Sequence, residues 1–218
     1  MDIAKNITEL TATLPSNVKL VAVSKFHPKE ALMKAYEAGQ RVFGESRAQE
    51  LVAKQKELPT DIEWHFIGPL QSNKVKDIAS FISLIQSADT LKLLKEIDKQ
   101  AAKNNRTIDV LLEIHVAKEE AKHGFTPDEC ETLVSSGQLN ELRNIRVRGI
   151  MGMATYTDNQ QQIRREFAEL KTLFDKLKDK FPQFDTLSMG MSQDYELAIA
   201  EGSNMVRIGT SIFGEREY

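Results

Sequence analysis

The chain has 218 residues, a length that suits one domain or at most two small ones, and its 41% hydrophobic and 28% charged residues exclude collagen-like, low-complexity and wholly disordered classes. Lys and Arg total 29 against 32 Asp and Glu, so the formal charge of −3 gives no general drive toward nucleic acid or an anionic membrane. The single cysteine, Cys130, cannot close an intrachain disulfide, no Cys/His cluster offers a zinc site, and the N-terminus lacks the apolar core of a signal peptide. A cytoplasmic protein with no membrane and no nucleic-acid partner is expected.

Taken in chain order, Ile3, Ile7, Leu10 and Leu14 share one face and predict a helix over 3–14, stopped by Pro15. A strand follows at 18–23. Pro28 suits a first helical position, and Ala31, Leu32, Ala35 and Tyr36 supply an apolar face before Gly39 ends that helix. A strand at 41–43, a helix at 46–58 and a strand at 63–67 come next. Further strands are predicted at 84–86, 110–115, 147–150, 186–188 and 205–208. Helical spacing fills the intervals at 73–81, 90–104, 127–136, 160–181 and 193–201. No linker or composition shift divides the chain, so one domain over 1–218 is expected. Eight strands alternating with helices predict an α/β fold with a parallel sheet, and the repeat count fits a (β/α)8 TIM-type barrel. The alternative is an open doubly wound sheet. That fold usually opens on a G-x-G-x-x-G turn, whereas Val23 is followed by Ser24-Lys25-Phe26-His27-Pro28.

Barrel chemistry sits at the C-terminal ends of the strands. Lys25 directly follows the apolar run Leu20-Val21-Ala22-Val23, where partial desolvation favours the free amine and Schiff-base formation with an aldehyde. The bland alternative is a strand-end lysine reaching water. Ser192, after Met189-Gly190-Met191, is predicted to open a helix as its N-cap and to offer its hydroxyl to a phosphate. Gly209-Thr210 after the eighth strand gives a turn in which the backbone can approach an anion closely. A strand-one lysine combined with a phosphate cup after strands seven and eight suits pyridoxal 5′-phosphate (PLP). Arg207, near the end of the eighth strand, would then donate to the pyridine nitrogen and keep it unprotonated. Its alternative is a surface or inter-strand arginine paired with Glu201 or Glu215.

Several motifs extend this pattern: Phe43-Gly44-Glu45, His65-Phe66-Ile67-Gly68-Pro69-Leu70-Gln71-Ser72-Asn73-Lys74, Leu187-Ser188-Met189-Gly190-Met191-Ser192 with Asp194, and Val206-Arg207-Ile208-Gly209-Thr210 with Ile212-Phe213-Gly214. Through them the chain resembles the pyridoxal phosphate homeostasis protein family. The resemblance implies a barrel like the N-terminal domain of alanine racemase, carrying PLP without established catalytic turnover. It also implies that Lys25 is the Schiff-base lysine, that Ser192 and the Gly209-Thr210 backbone hold the phosphate, and that Arg207 faces the pyridine nitrogen. One position departs from the family: asparagine commonly stands beside the cofactor where this chain has Ser46, which is expected to make a weaker or water-mediated contact.

His65 and His115 are weighed as general bases against strand histidines satisfied within the barrel. Asn73 and Lys74 are weighed as mouth residues against solvated positions, and Lys122 as a second, more exposed Schiff-base lysine against a solvated charged loop. Two functions remain, a carrier that buffers PLP or delivers it to apo PLP-dependent enzymes, and a PLP enzyme such as an amino-acid racemase. Racemases to which the barrel is similar take a tyrosine base from a C-terminal β-domain. Here the sequence stops at Tyr218 after the eighth unit, and Tyr156 alone among the four tyrosines is placed near the mouth. A monomeric, non-catalytic carrier is the expectation.

Overall fold

The strand-forming runs pair in parallel and in strict chain order, and the sheet closes when the first strand pairs with the last. The computed structural model describes residues 2–117 and 123–215. Its elements run α1 (Ile3–Thr13), β1 (Lys19–Val23), α2 (Lys29–Glu37), β2 (Val42–Glu45), α3 (Ala48–Glu57), β3 (Glu63–Phe66), α4 (Val75–Ile78), β4 (Leu84–Ala88) and α5 (Leu91–Lys103). They continue as β5 (Ile108–His115), α6 (Pro127–Ser135), β6 (Ile145–Met153), α7 (Gln160–Lys180), β7 (Thr186–Ser188), α8 (Tyr195–Ala200), β8 (Met205–Ile208) and α9 (Thr210–Phe213). This is the (β/α)8 barrel expected from the strand count.

Each strand is buried on both faces, as crossover helices require. Val21, Val42, Leu84, Leu111, Met151 and Met205 form an apolar cluster of their own, the packed interior of the barrel. Their strand neighbours, among them Leu20, Phe43, Trp64 and Ile85, join the helices in the outer core. Helix α5 buries Leu93, Leu94, Ile97 and Ala101 and α7 buries Ile163, Phe167, Leu170, Phe174 and Leu177, both sets at helical spacing. Trp64, the sole tryptophan, is 2% exposed and packs its ring 6.0 Å from that of Phe43 in the β2/β3 wall. Cys130 is fully buried, and burial pushes its thiol up to about 12, so the unreactive thiol form prevails.

Several boundaries differ from the sequence expectation. Strands β4, β5 and β6 outrun the apolar segments that marked them, and register shifts at Ile85/Ala88 and Val110/Leu111 accommodate the extra residues. The helix expected at 73–81 is a 3₁₀ turn at Ser72–Lys74 followed by the single turn of α4. Pro28 precedes its helix, because a ψ of 156° leaves it extended at the N-cap. The helix expected from Ser46 begins at Ala48. Among the described residues no helix is long and apolar enough to cross a membrane, and no His, Cys, Asp and Glu side chains gather as a metal site.

Candidate functional site

Parallel closure delivers all eight strand C-termini to one rim. A cavity of about 790 Å³ opens there, and Lys25, Ser192, Arg207, Gly209 and Thr210 line it together with residues 153–158. Five of the six expected site residues are thus brought together. Ser46 is not among the lining residues. It packs against the loop after β3, where a Cβ on Gly68 would sit 2.6 Å from the Cβ of Ser46. The weaker or water-mediated contact expected of Ser46 would therefore have to reach the cavity from this position beside Gly68.

Lys25 follows β1, and both its chain neighbours are held from outside the barrel by one charged cluster. Lys54 Nζ donates to the Ser24 carbonyl at 2.8 Å, to Glu45 Oε1 at 2.7 Å and to Glu50 Oε1 at 2.6 Å. Ser24 Oγ donates to Glu45 Oε1 at 2.7 Å, and the Phe26 N–H donates to Glu50 Oε1 at 2.7 Å. Phe26 adopts a φ of 67°, uncommon for a bulky residue, and Arg47 lies 4.5 Å over its ring. His27 stacks on Phe213 of α9 at 5.0 Å, which ties the loop after β1 to the segment after β8. Glu45 is completely buried. Desolvation raises its pKa above the usual carboxylate value, opposed by Lys54 and Ser24.

The anion-binding side is built differently from the expected cap. The helix after β7 opens at Asp194 rather than Ser192, and Asp194 Oδ1 turns back to accept the Met191 N–H at 2.6 Å. Ser192 is therefore free of the capping role, and its Oγ accepts the Gly209 N–H at 3.2 Å, joining the loops after β7 and β8. Gly209 lies close to β1, since a Cβ there would come 3.1 Å from the Val23 carbonyl. Helix α9 starts at once with Thr210: the Ile212 and Phe213 N–H groups both bond the Gly209 carbonyl at 2.9 Å, which leaves the amides of Thr210 and Ser211, two residues that line the cavity with Ser192, without an intrahelical acceptor.

Arg207 is 4% exposed and points into the barrel. Its Nη1 donates to Ser188 Oγ at 2.6 Å and its Nη2 to the Gly152 carbonyl at 2.9 Å. Burial brings it down to about 10, opposed by the charges of Glu113 and Asp194, so it stays cationic at neutral pH. Pairing with Glu201 does not occur, because Glu201 bonds Arg164 at 3.1 Å. His65 is buried against Gln86, and desolvation takes it down to about 3, which leaves the ring neutral. His115, Asn73 and Lys74 do not line the cavity. Lys122 lies outside the described residues. Tyr156 is on the rim, 80% exposed.

Sequence reasoning passed over Glu113, which is buried on β5 and pushed up to about 7 by burial and by Asp89, with Arg207 and His123 opposing. Its signal was a carboxylate inside the apolar run Leu111-Leu112-Glu113-Ile114. Glu45 and Lys54 were also missed. The Glu50/Lys54 spacing reads as an ordinary solvated i,i+4 pair.

A family model described as alanine racemase, N-terminal domain, matches residues 2–217. A pyridoxal phosphate homeostasis protein of Aquifex aeolicus is 44% identical over 92% of this chain and 88% of its own. One from Schizosaccharomyces pombe is 41% identical over 92% of this chain and 85% of its own. The solved structure of PipY from Synechococcus elongatus with PLP bound superposes with a TM-score of 0.88 at 37% identity, covering 97% of this chain and all of that one. Alanine racemase from Streptomyces coelicolor superposes at 0.83 with 17% identity over 98% of this chain and 58% of that one, a likeness of fold alone.

Two outcomes follow from the charges. Lys54→Met leaves Glu45 buried without its cation and lowers unfolding stability by about 3 kcal/mol in urea titrations at neutral pH, with partial recovery in Lys54→Met/Glu45→Gln. Glu113 holds its proton to about pH 7 when folded against an ordinary value of 4.5, so the folded state binds more protons between these limits and loses stability as pH rises through them. Titrations at about pH 5 and about pH 8 should show Glu113→Gln gaining about 2.5 kcal/mol on the native chain over that interval.

Proposed function

This chain belongs to the pyridoxal phosphate homeostasis protein family, and from that membership we propose that it binds PLP in the rim cavity and buffers or delivers it, with no catalytic turnover of its own. The observation that carries the reading is the convergence of an amine, an anion-binding donor set and a buried cation in one cavity. These groups fit the parts of PLP. Lys25 supplies the amine for the aldehyde. Ser192, Thr210 and the opening amides of α9 supply donors for the phosphate. Arg207 has N–H groups beyond those given to Ser188 and Gly152, and these serve the pyridine nitrogen.

The cofactor brings an aldehyde that captures amines and a ring that accepts electrons. The chain's own residues favour holding over turnover. Arg207 cannot give up a proton near neutral pH, so it keeps a ring nitrogen unprotonated and the ring a weak electron sink. The mouth is open, with Tyr156 largely in water, which suits exchange with solution and disfavours controlled carbanion chemistry. The racemase reading needs a base on each face of a bound substrate, and Tyr156 is the tyrosine that lines the cavity. We read the chain as a single cytoplasmic, monomeric domain whose partners are PLP and the apo-enzymes that receive it.

Lys25→Ala is expected to lose the visible absorbance of the lysine–pyridoxal conjugate; normal PLP content on that variant, measured after desalting, would overturn the site. In deuterated water the loaded protein should leave the α-protons of an L-amino-acid panel unexchanged. Exchange over many turnovers, read by proton NMR, would replace the carrier with an enzyme.

A further inference from the structure

Beneath the cavity a line of buried polar side chains crosses the barrel from β8 and β7 to β4 and β3. Arg207 Nη1 donates to Ser188 Oγ at 2.6 Å, Ser188 Oγ lies 2.6 Å from Gln86 Oε1, and Gln86 Nε2 lies 3.0 Å from His65 Nδ1 and 3.4 Å from Met205 Sδ. All four polar residues are buried, and Arg207 alone of them also lines the mouth cavity.

Donor and acceptor chemistry gives this line one direction. A guanidinium has no acceptor, so Ser188 must accept from Arg207 and spend its own proton on Gln86 Oε1. In this orientation the Gln86 amide nitrogen faces His65 Nδ1, which accepts from it in the tautomer that carries the ring proton on Nε2. A protonated imidazole could not fill this place. Burial keeps the ring neutral throughout the physiological range. Within reach of the guanidinium's field stand two carboxylates, Glu113 and Asp194, and neither is its hydrogen-bond partner among the bonds described.

We infer that Gln86 is a positioning residue: through Ser188 it fixes the rotation of the Arg207 guanidinium, so that the remaining N–H groups stay directed to the cavity that Arg207 lines. The inference rests on the reading of Arg207 as the partner of that nitrogen. Neutral acceptors do what a carboxylate would do by attraction. They hold the arginine without a counter-charge that would compete for its cavity-facing donors.

Three measurements on the full chain test this. In the unloaded protein, nitrogen-detected NMR should find His65 with Nε2 protonated and Nδ1 bare, unchanged on mild acidification; an Nδ1–H tautomer in the native chain overturns the inference without any variant. In the PLP-loaded protein, Gln86→Leu should weaken PLP retention roughly tenfold, the factor carried by a hydrogen bond of about 1.4 kcal/mol. Its bound-cofactor absorbance should also acquire a pH dependence near neutrality that the native protein lacks. Arg207→Met separates the two levels of the argument. If it leaves the bound spectrum and its pH dependence native, the assignment of Arg207 to the ring nitrogen falls, and the role of Gln86 with it. If Arg207→Met changes them and Gln86→Leu does not, Arg207 keeps its role and the positioning by Gln86 is refuted.

Discussion

Pairing of β1 with β8 is the constraint on which the rest of the molecule depends. It sets Lys19 against Met205, Val21 against Arg207 and Ala22 against Ile208, and so places the loop that carries Lys25 beside the turn that carries Gly209. An open sheet would leave these at opposite edges. Closure also creates the enclosed interior in which side chains from β3, β4, β7 and β8 can meet, so the cavity and its polar floor are both products of the same register.

The two sides of the barrel wall handle buried charge in opposite ways. Outside, Glu45 and Lys54 form a buried ion pair whose desolvation is offset by short bonds that also reach the Ser24 carbonyl and Glu50. Such a pair adds little net stability compared with apolar packing, and its value lies in fixing one arrangement of the loop around Lys25. Inside, Arg207 is satisfied at hydrogen-bond distance by a hydroxyl and a carbonyl. The same chemistry that makes the outer pair rigid would have neutralised the inner cation.

The order and type of the strands were legible because β-branched runs separated by helical spacing leave few topologies open. Lys25 and Arg207 were legible because they interrupt apolar runs where a barrel presents its mouth. Gln86, Ser188 and Glu113 were not. A parallel strand is buried on both faces, so alternation does not mark which polar residue looks inward. Ser192 misled in another way. A serine two residues before an aspartate offers two helix starts, and the chain takes the second, leaving Ser192 to bond Gly209 across to the next loop. Ser46 could be compared with its relatives by type, but its close approach to Gly68 is a contact between loops that no local pattern encodes.

Trp64 adds an optical property to this architecture. A single indole, fixed in the wall and shielded from water, is the chain's only tryptophan emitter. A chromophore attached to Lys25 would be its energy-transfer acceptor, present when the cavity is loaded and absent when it is empty. With such a chromophore bound, the barrel would carry a built-in gauge of its own occupancy, readable from quenching of native emission during uptake or release without any added label.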